Sequence, residues 1–289
     1  MTYQQFSFKY TKYITLNNGV KMPILGYGVF QVTPEECERC VSDAIETGYR
    51  SIDTAQAYHN EEGVGNAVEK CGLPREELFI TTKVWISNSG YERAKASIEE
   101  SLNKLKSDYI DLLLIHQPFG DYYGTYRAMT EAYKAGKVKA IGVSNFYPDR
   151  LVDFCKFNEV LPAVNQVETH PFLQQRKAHD WMRKYGVKHE SWGPFAEGKN
   201  NIFSNPVLKE IGESHNKSVA QVILRYLIEN DIIVIPKTTH KERMKENINI
   251  FDFELSKEDK QRILELDGTE SLFLSHYDPE TVEYLTGLK

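Results

Sequence analysis

Asp53, Tyr58, Lys83 and His116 are four proton-handling side chains, each at or just beyond the end of a run that reads as a β-strand. Arg50–Asp53 ends in a carboxylate, with Tyr58 shortly after it. The apolar, β-branched run Leu78–Thr82 passes into Lys83, and the aliphatic run Tyr109–Ile115 stops at His116. If these strands are neighbours in one parallel sheet, the four side chains converge in space, and the C-terminal end of a (β/α) barrel is where its chemistry is done. The chemistry they suggest is proton donation coupled to reduction of a carbonyl. A phenol, with a reference pKa of about 10, is a poor acid near neutral pH. An ammonium beside it favours the phenolate and lowers that value. Tyr58 is therefore the expected acid, Lys83 its tuning partner, Asp53 the support that holds Lys83 charged, and His116 the residue that orients the substrate oxygen. Taken singly, each has a plainer reading: a cap, a surface aromatic, a solvated cation, a satisfied core histidine. Their joint placement at successive strand ends is what favours a site.

The elements that must carry these residues are legible as an alternation. Tyr13–Leu16, Asn17-Asn18-Gly19 and Val20–Met22 read as a β-hairpin, with Asn-Gly supplying the positive-φ turn residues. From a first strand at Ile24–Val29 and a helix opened by Thr33 or Pro34 and stopped by Gly48, strand and helix alternate through eight units. Trp192 to Val219 is expected to be looser, helical segments to end near Leu266, and the rest to be irregular. Short connections without a Pro/Gly/Ser-rich linker predict an α/β fold, a (β/α)8 TIM barrel with an N-terminal β-hairpin. The expected organisation is a single domain over 1–289, with 1–12 as an N-terminal extension and 267–289 as a C-terminal tail.

The chain of 289 residues is normal in length for such a barrel. Its 41% hydrophobic and 26% charged content is that of an ordinary globular protein, and a formal charge of −6 argues against nucleic-acid or anionic-membrane partners. Met1–Thr11 has no apolar core and does not read as a signal peptide, and the longest apolar runs are too short to span a bilayer. Four cysteines suggest a reducing compartment, so the expectation is a cytoplasmic monomer acting on a small molecule.

Several motifs are weighed and set aside. Cys37-x-x-Cys40 falls inside a predicted helix without a second pair or a histidine at zinc spacing, and no metal is expected. Gly193 to Asn200 is one residue short of a Walker A loop, because Asn200 lacks the hydroxyl that would ligate Mg²⁺. Gly26-Tyr-Gly28-Val-Phe-Gln31 and Gly63-Val-Gly65-Asn-Ala-Val68 each lack the third glycine of the dinucleotide fingerprint. The aromatics Tyr27, Phe30, Trp85, Phe119, Tyr122, Tyr123 and Phe195 fall in expected barrel-mouth loops and suggest an apolar substrate slot, with Tyr27, Trp85, Phe119 and His116 as its candidate walls.

The segment from Asp53-Thr-Ala-Gln-Ala-Tyr58 through Asn60-Glu61 resembles the first signature of the aldo-keto reductases. Leu112 to Pro118, with His116, resembles the second, and Ile235-Pro-Lys237-Thr-Thr with Arg243 and Asn247 the third. Gly142-Val-Ser-Asn145-Phe and Asn165-Gln166-Val-Glu168 match as well, and the likeness runs from the hairpin to about Leu266. The resemblance implies a (β/α)8 barrel that binds NADPH extended across its mouth without a Rossmann loop. It implies that Ser144, Asn145 and Gln166 hold the nicotinamide carboxamide, that Trp192 stacks on the ring, and that Gly193 and Pro194 line its path. Lys237, Thr238 and Arg243 are implied for the 2′-phosphate, a dianion suited to a point charge and a planar fork, with Glu246 and Asn247 facing the adenine. Trp192 and Gly193 stand where Tyr and Ser are frequent in the family. The implied activity is NADPH-dependent reduction of aldehydes or ketones; the alternative of another class is a non-catalytic NADPH-binding regulatory barrel.

Overall fold

In the computed structural model, which describes residues 12–288, the chain enters as an antiparallel hairpin of β1 (Tyr13–Thr15) and β2 (Lys21–Pro23). The expected extension 1–12 lies outside the described residues except for Lys12, whose carbonyl accepts from the Ile24 amide at 2.8 Å. The turn falls at Asn17-Asn18-Gly19, but only Gly19 has positive φ, at 86°. Its N–H donates to the Leu16 carbonyl at 3.0 Å, so a three-residue turn closed by one left-handed glycine replaces the expected Asn-Gly pair. Asn17 and Asn18 donate to the carbonyls of Pro162 and Lys139, both at 2.9 Å. Those carbonyls flank the starts of two barrel strands, so the hairpin caps the barrel's N-terminal end, with Leu16 and Met22 buried beneath it.

Eight strands follow: β3 (Tyr27–Gly28), β4 (Ser51–Asp53), β5 (Phe79–Val84), β6 (Ile110–Ile115), β7 (Val138–Ser144), β8 (Val164–Glu168), β9 (Lys188–Trp192) and β10 (Ile233–Val234). They pair in parallel in chain order. The two ends of the sheet meet where Leu25 bridges to Val234, with the Gly26 amide donating to the Val234 carbonyl at 2.8 Å and the Val234 amide to the Ile24 carbonyl at 3.0 Å. The fold is the expected (β/α)8 barrel with its N-terminal hairpin.

Between successive strands run α1 (Pro34–Thr47), α2 (Glu61–Lys70), α3 (Tyr91–Leu105), α4 (Tyr122–Lys134), α5 (Pro148–Phe157) and α6 (Arg176–Lys184). The start and stop of α1 have a local cause. In α1, Pro34 sits in the first turn with Glu35 and Glu36, and Gly48 at φ 117° turns its N–H back onto the Ala44 and Ile45 carbonyls. The face that α1 buries carries Cys37, Cys40, Val41, Ala44 and Ile45, so both cysteines are packing residues.

Two expectations fail. The stretch expected to be loose holds α7 (Pro206–His215), opened by Asn205, whose side chain accepts from the Leu208 amide, and by Pro206 in the first turn. The tail expected to be irregular contains α11 (Pro279–Gly287), opened by Asp278 and Pro279. In both, an Asx-Pro pair marks the start, and the sequence carries that signal. α8 (Val219–Glu229) precedes β10, while α9 (Lys241–Ile248) and α10 (Lys257–Leu264) follow it.

Candidate active site

Parallel pairing brings the strand ends together. Asp53 closes β4, Lys83 is the penultimate residue of β5, and His116 directly follows β6, its amide donating to the Val84 carbonyl at 3.1 Å. Tyr58 ends a short 3-10 turn after β4 that is stopped by His59 in the left-handed region. Lys83 has no exposed surface. Its Nζ donates to Asp53 Oδ1 at 2.5 Å, to the Thr54 carbonyl at 2.9 Å and, more loosely, to the Tyr58 hydroxyl at 3.4 Å. The His116 ring lies edge-on to Tyr58 with centroids 5.5 Å apart, and Trp85 stands 5.0 Å beyond it. Asp53, Tyr58 and His116 line a groove of about 1130 Å³ across the C-terminal mouth of the barrel; Lys83 lies behind them.

The electrostatics differ from the simple expectation at one point. Burial pushes the Tyr58 phenol above its ordinary value; Lys83 pulls it down, but by less. The ammonium is 2.5 Å from Asp53, which cancels much of its field at Tyr58. Burial alone would lower the pKa of Lys83, yet Asp53 and Tyr58 outweigh it and hold the lysine up, so it stays charged. Burial drives His116 well below its usual range, aided by Lys83 and His276. The imidazole is neutral at physiological pH. Its Nδ1 is sealed off with no hydrogen-bond partner among the described residues. The tautomer with the proton on Nε2 avoids burying an unpaired N–H and turns a donor toward the groove.

Further along the groove, Ser144, Asn145, Gln166 and Trp192 form its floor and Gly193 and Pro194 continue it. Asn145 takes a left-handed backbone, φ 62°, and its amide donates to the His116 carbonyl at 3.2 Å and accepts from Trp192 Nε1 at 2.9 Å. The indole is thereby fixed in plane from its edge, with Phe273 against it at 5.2 Å. Gln166 Nε2 donates to Asp53 Oδ2 at 2.9 Å and to Glu190 Oε2 at 3.0 Å. At the far end Lys237, Thr238, Arg243, Glu246 and Asn247 line the groove around the start of α9. Neither Lys237 nor Arg243 forms an ion pair with a described residue; Arg243 lies in the first turn of α9 and Lys237 just ahead of it, where the helix dipole also favours an anion. Glu246 instead accepts from the Ser218 hydroxyl at the start of α8. A long groove that begins at a proton-handling cluster and ends at two unpaired cations fits a phosphorylated dinucleotide.

Four aromatic expectations are corrected. Tyr27 is fully buried and does not line the groove; its hydroxyl donates to the Thr238 carbonyl at 2.6 Å and its ring packs on Tyr49. Strand alternation turns it away from the mouth, so it supports the Lys237–Thr238 segment from behind. Phe119 sits one layer back, stacked on His276 at 5.8 Å. Tyr122 and Tyr123 open α4 and pack on Phe154. Phe30, Trp85 and Phe195 do line the groove.

The tail is the part that sequence reasoning missed. Phe273, Leu274, His276, Leu285 and Leu288 all line the groove. Glu168, at the end of β8, pins the tail by accepting from the Ser271 hydroxyl and from the Leu272 amide at 2.9 Å. His276 Nε2 lies 2.6 Å from Gln117 Oε1. Aromatics clustered after Leu266 were the available signal. Glu190 was also missed, although a carboxylate in the middle of an interior strand is itself unusual.

The sequence compares directly with known proteins. The aldo/keto reductase family model matches residues 24–267. The chain belongs to the aldo/keto reductase family. Among curated relatives of this reductase family member, the glyoxal reductase of Bacillus subtilis (strain 168) is 49% identical over 252 residues, covering 86% of this chain and 91% of the relative. Methylglyoxal reductase of Escherichia coli (strain K12) is 41% identical over 257 residues, covering 88% and 93%. Among solved structures, the aldo-keto reductase of Bombyx mori in complex with NADP superposes with a TM-score of 0.87 at 33% identity, covering 92% of this chain and 96% of that one. The segment that resembles a Walker A loop is, in this aldo/keto reductase, an irregular turn with Glu197, Gly198, Asn200 and Asn201 at positive φ.

Proposed function

We propose that this chain reduces small aldehydes and ketones to alcohols with NADPH. The observation that carries the reading is the buried Asp53–Lys83 pair touching the Tyr58 hydroxyl beside a neutral His116, in a groove that ends at the unpaired cations Lys237 and Arg243. The names of relatives that act on glyoxal and methylglyoxal support small dicarbonyls among the substrates. When bound, NADPH supplies the hydride.

The chain's own residues do the rest. Gln166 Oε1, unspent on any described residue, accepts from the carboxamide, and Ser144 and Asn145 border it. Trp192, locked by Asn145, stacks on the nicotinamide face. His116 donates from Nε2 to the carbonyl oxygen and fixes its angle. Tyr58 gives its proton to that oxygen as negative charge develops there, and the charged Lys83 beside it stabilises the phenolate left behind. Asp53 keeps Lys83 in place. Lys237 and Arg243 take the 2′-phosphate.

The test is a screen of purified protein with NADPH or NADH against glyoxal, methylglyoxal and nitrobenzaldehyde, followed by loss of cofactor absorbance. Turnover with NADPH is expected; none across the panel with folded protein rejects the reading. Tyr58→Phe is expected to lower kcat roughly 10²–10⁴-fold while NADPH binding, followed by fluorescence, changes little. A fully active variant would remove Tyr58 from the role of acid.

A further inference from the structure

At the floor of the groove, a single amide lies between two carboxyl groups. Gln166 on β8 and Glu190 on β9 are register partners. Both N–H bonds of the Gln166 amide are spent, one on Asp53 Oδ2 and one on Glu190 Oε2. Asp53 has its other oxygen on Lys83, and Lys83 reaches the Tyr58 hydroxyl. A continuous polar chain thus runs Glu190–Gln166–Asp53–Lys83–Tyr58. Glu190 has no exposed surface, and its Oε1 has no hydrogen-bond partner among the described residues.

The charge count in this layer decides the state of Glu190. Lys83 supplies one positive charge and Asp53, in contact with it, one negative charge. An ionised Glu190 would add a second negative charge, fully buried, with one hydrogen bond from a neutral amide. Such a group neutralises by keeping its proton. The titratable groups that face it are Asp53, Lys83 and Tyr58, and its neighbour on β10 is the apolar Ile233. Burial first and Asp53 second push its carboxyl up to about 8.

We propose that Glu190 is a positioning residue for carbonyl reduction. Its buried, protonated carboxyl fixes the Gln166 amide with Oε1 toward the cofactor and keeps the Asp53–Lys83–Tyr58 set charge-balanced. Its loss of a proton at alkaline pH holds Tyr58 protonated. The inference rests on the reading of Tyr58 as the acid. Asp53 only accepts, and the Glu190 carboxyl accepts at Oε2, so the Gln166 NH₂ that faces both leaves its Oε1 toward the groove. Negative charge appearing on Glu190 makes the phenolate costlier, which extends reduction, and restricts alcohol oxidation, at alkaline pH.

Glu190→Gln keeps the shape and cannot ionise. It is expected to move the alkaline limb of kcat for reduction, which lies above about pH 10 because Tyr58 is held above its ordinary value, down by about half a pH unit or more. Glu190→Leu removes the anchor of Gln166 and is expected to weaken NADPH binding roughly fivefold or more in a fluorescence titration. In cofactor-free protein, the infrared difference between wild type and Glu190→Gln should contain a carboxylic-acid C=O band at neutral pH that the wild type loses on titration through about 8. Absence of that band overturns the proposal whatever the activity. Superimposable alkaline limbs for wild type and Glu190→Gln overturn it as well. Wild-type protein that reduces no carbonyl rejects the functional reading instead, while the infrared band still tests Glu190 on its own.

Discussion

Two cations that pair with no carboxylate among the described residues stand in the first turn of α9 and just ahead of it, and a point charge beside a planar fork is a good match for a phosphate dianion. On the functional reading, Lys237→Ala and Arg243→Ala each remove one charge-assisted contact, about 1.5–3 kcal/mol, so NADPH binding should weaken roughly tenfold or more. NADH lacks that phosphate and should change little. Equal losses for both cofactors, measured by fluorescence titration, would put the phosphate elsewhere. Lys83 makes a different kind of contribution. Among the described residues Lys83 is the positive charge against Tyr58, and Asp53 compensates its burial, so Lys83→Met leaves the Asp53 charge buried without a counter-ion. The expected result is a loss of kcat together with lower thermal stability, whereas a change in kcat alone would mean that Asp53 finds another partner.

At the scale of elements, close contacts set the tolerance of the scaffold. A Cβ on Gly65 in α2 would lie 2.3 Å from the Lys104 carbonyl of α3. Gly65→Ala gains helix propensity of about 1 kcal/mol, but forces two packed helices apart. A net loss of about 1–3 kcal/mol is expected, read by urea denaturation; an unchanged midpoint would show that the pair yields at no cost. The tail depends on one carboxylate in a similar way. Glu168→Ala releases Ser271 and Leu272 and should speed limited proteolysis after residue 268 and raise KM for the carbonyl more than it lowers kcat. Protection identical to wild type would mean that α11 holds the tail alone.

These elements also show what the chain reveals before it folds. Asp53, Lys83 and His116 were readable because strand ends are marked by a change from apolar to polar residues, and parallel pairing then dictates their meeting. The hairpin turn was readable because asparagine and glycine cluster there, although only Gly19 needed the left-handed backbone. Tyr27 was misplaced because alternation in a two-residue strand gives no sign of which face is inside. The tail escaped because its place over the groove is fixed by Glu168, about a hundred residues away, and no local pattern encodes so distant a contact. Glu190 escaped because its partner Gln166 was already assigned to the cofactor.

For the molecule as a whole, buried histidines govern the response to acid. His189 is held down to about 3 from an ordinary 6.5, by burial first and then by His179, and His276 is held down to about 4. A group whose pKa is depressed on folding stabilises the native state above its unfolded value, and that contribution is lost as pH falls toward the folded one. Stability should therefore decline from about pH 6.5 downward. His189→Gln, which cannot charge, should show a shallower decline in urea unfolding between pH 7 and pH 4. Parallel declines for both proteins would assign the acid sensitivity to other groups.

The hairpin under the barrel has a consequence for traffic. With the barrel interior packed by side chains and β1 and β2 covering its other end, anything that enters the groove must leave by the same opening. The floor at Gln166 and Asn145 is buried, whereas Phe30 at the edge of the groove is half exposed. A molecule on that edge stands in the doorway of whatever occupies the floor. On the functional reading, the cofactor should enter first and leave last, and the oxidised cofactor should compete with NADPH but not with the aldehyde in product-inhibition plots.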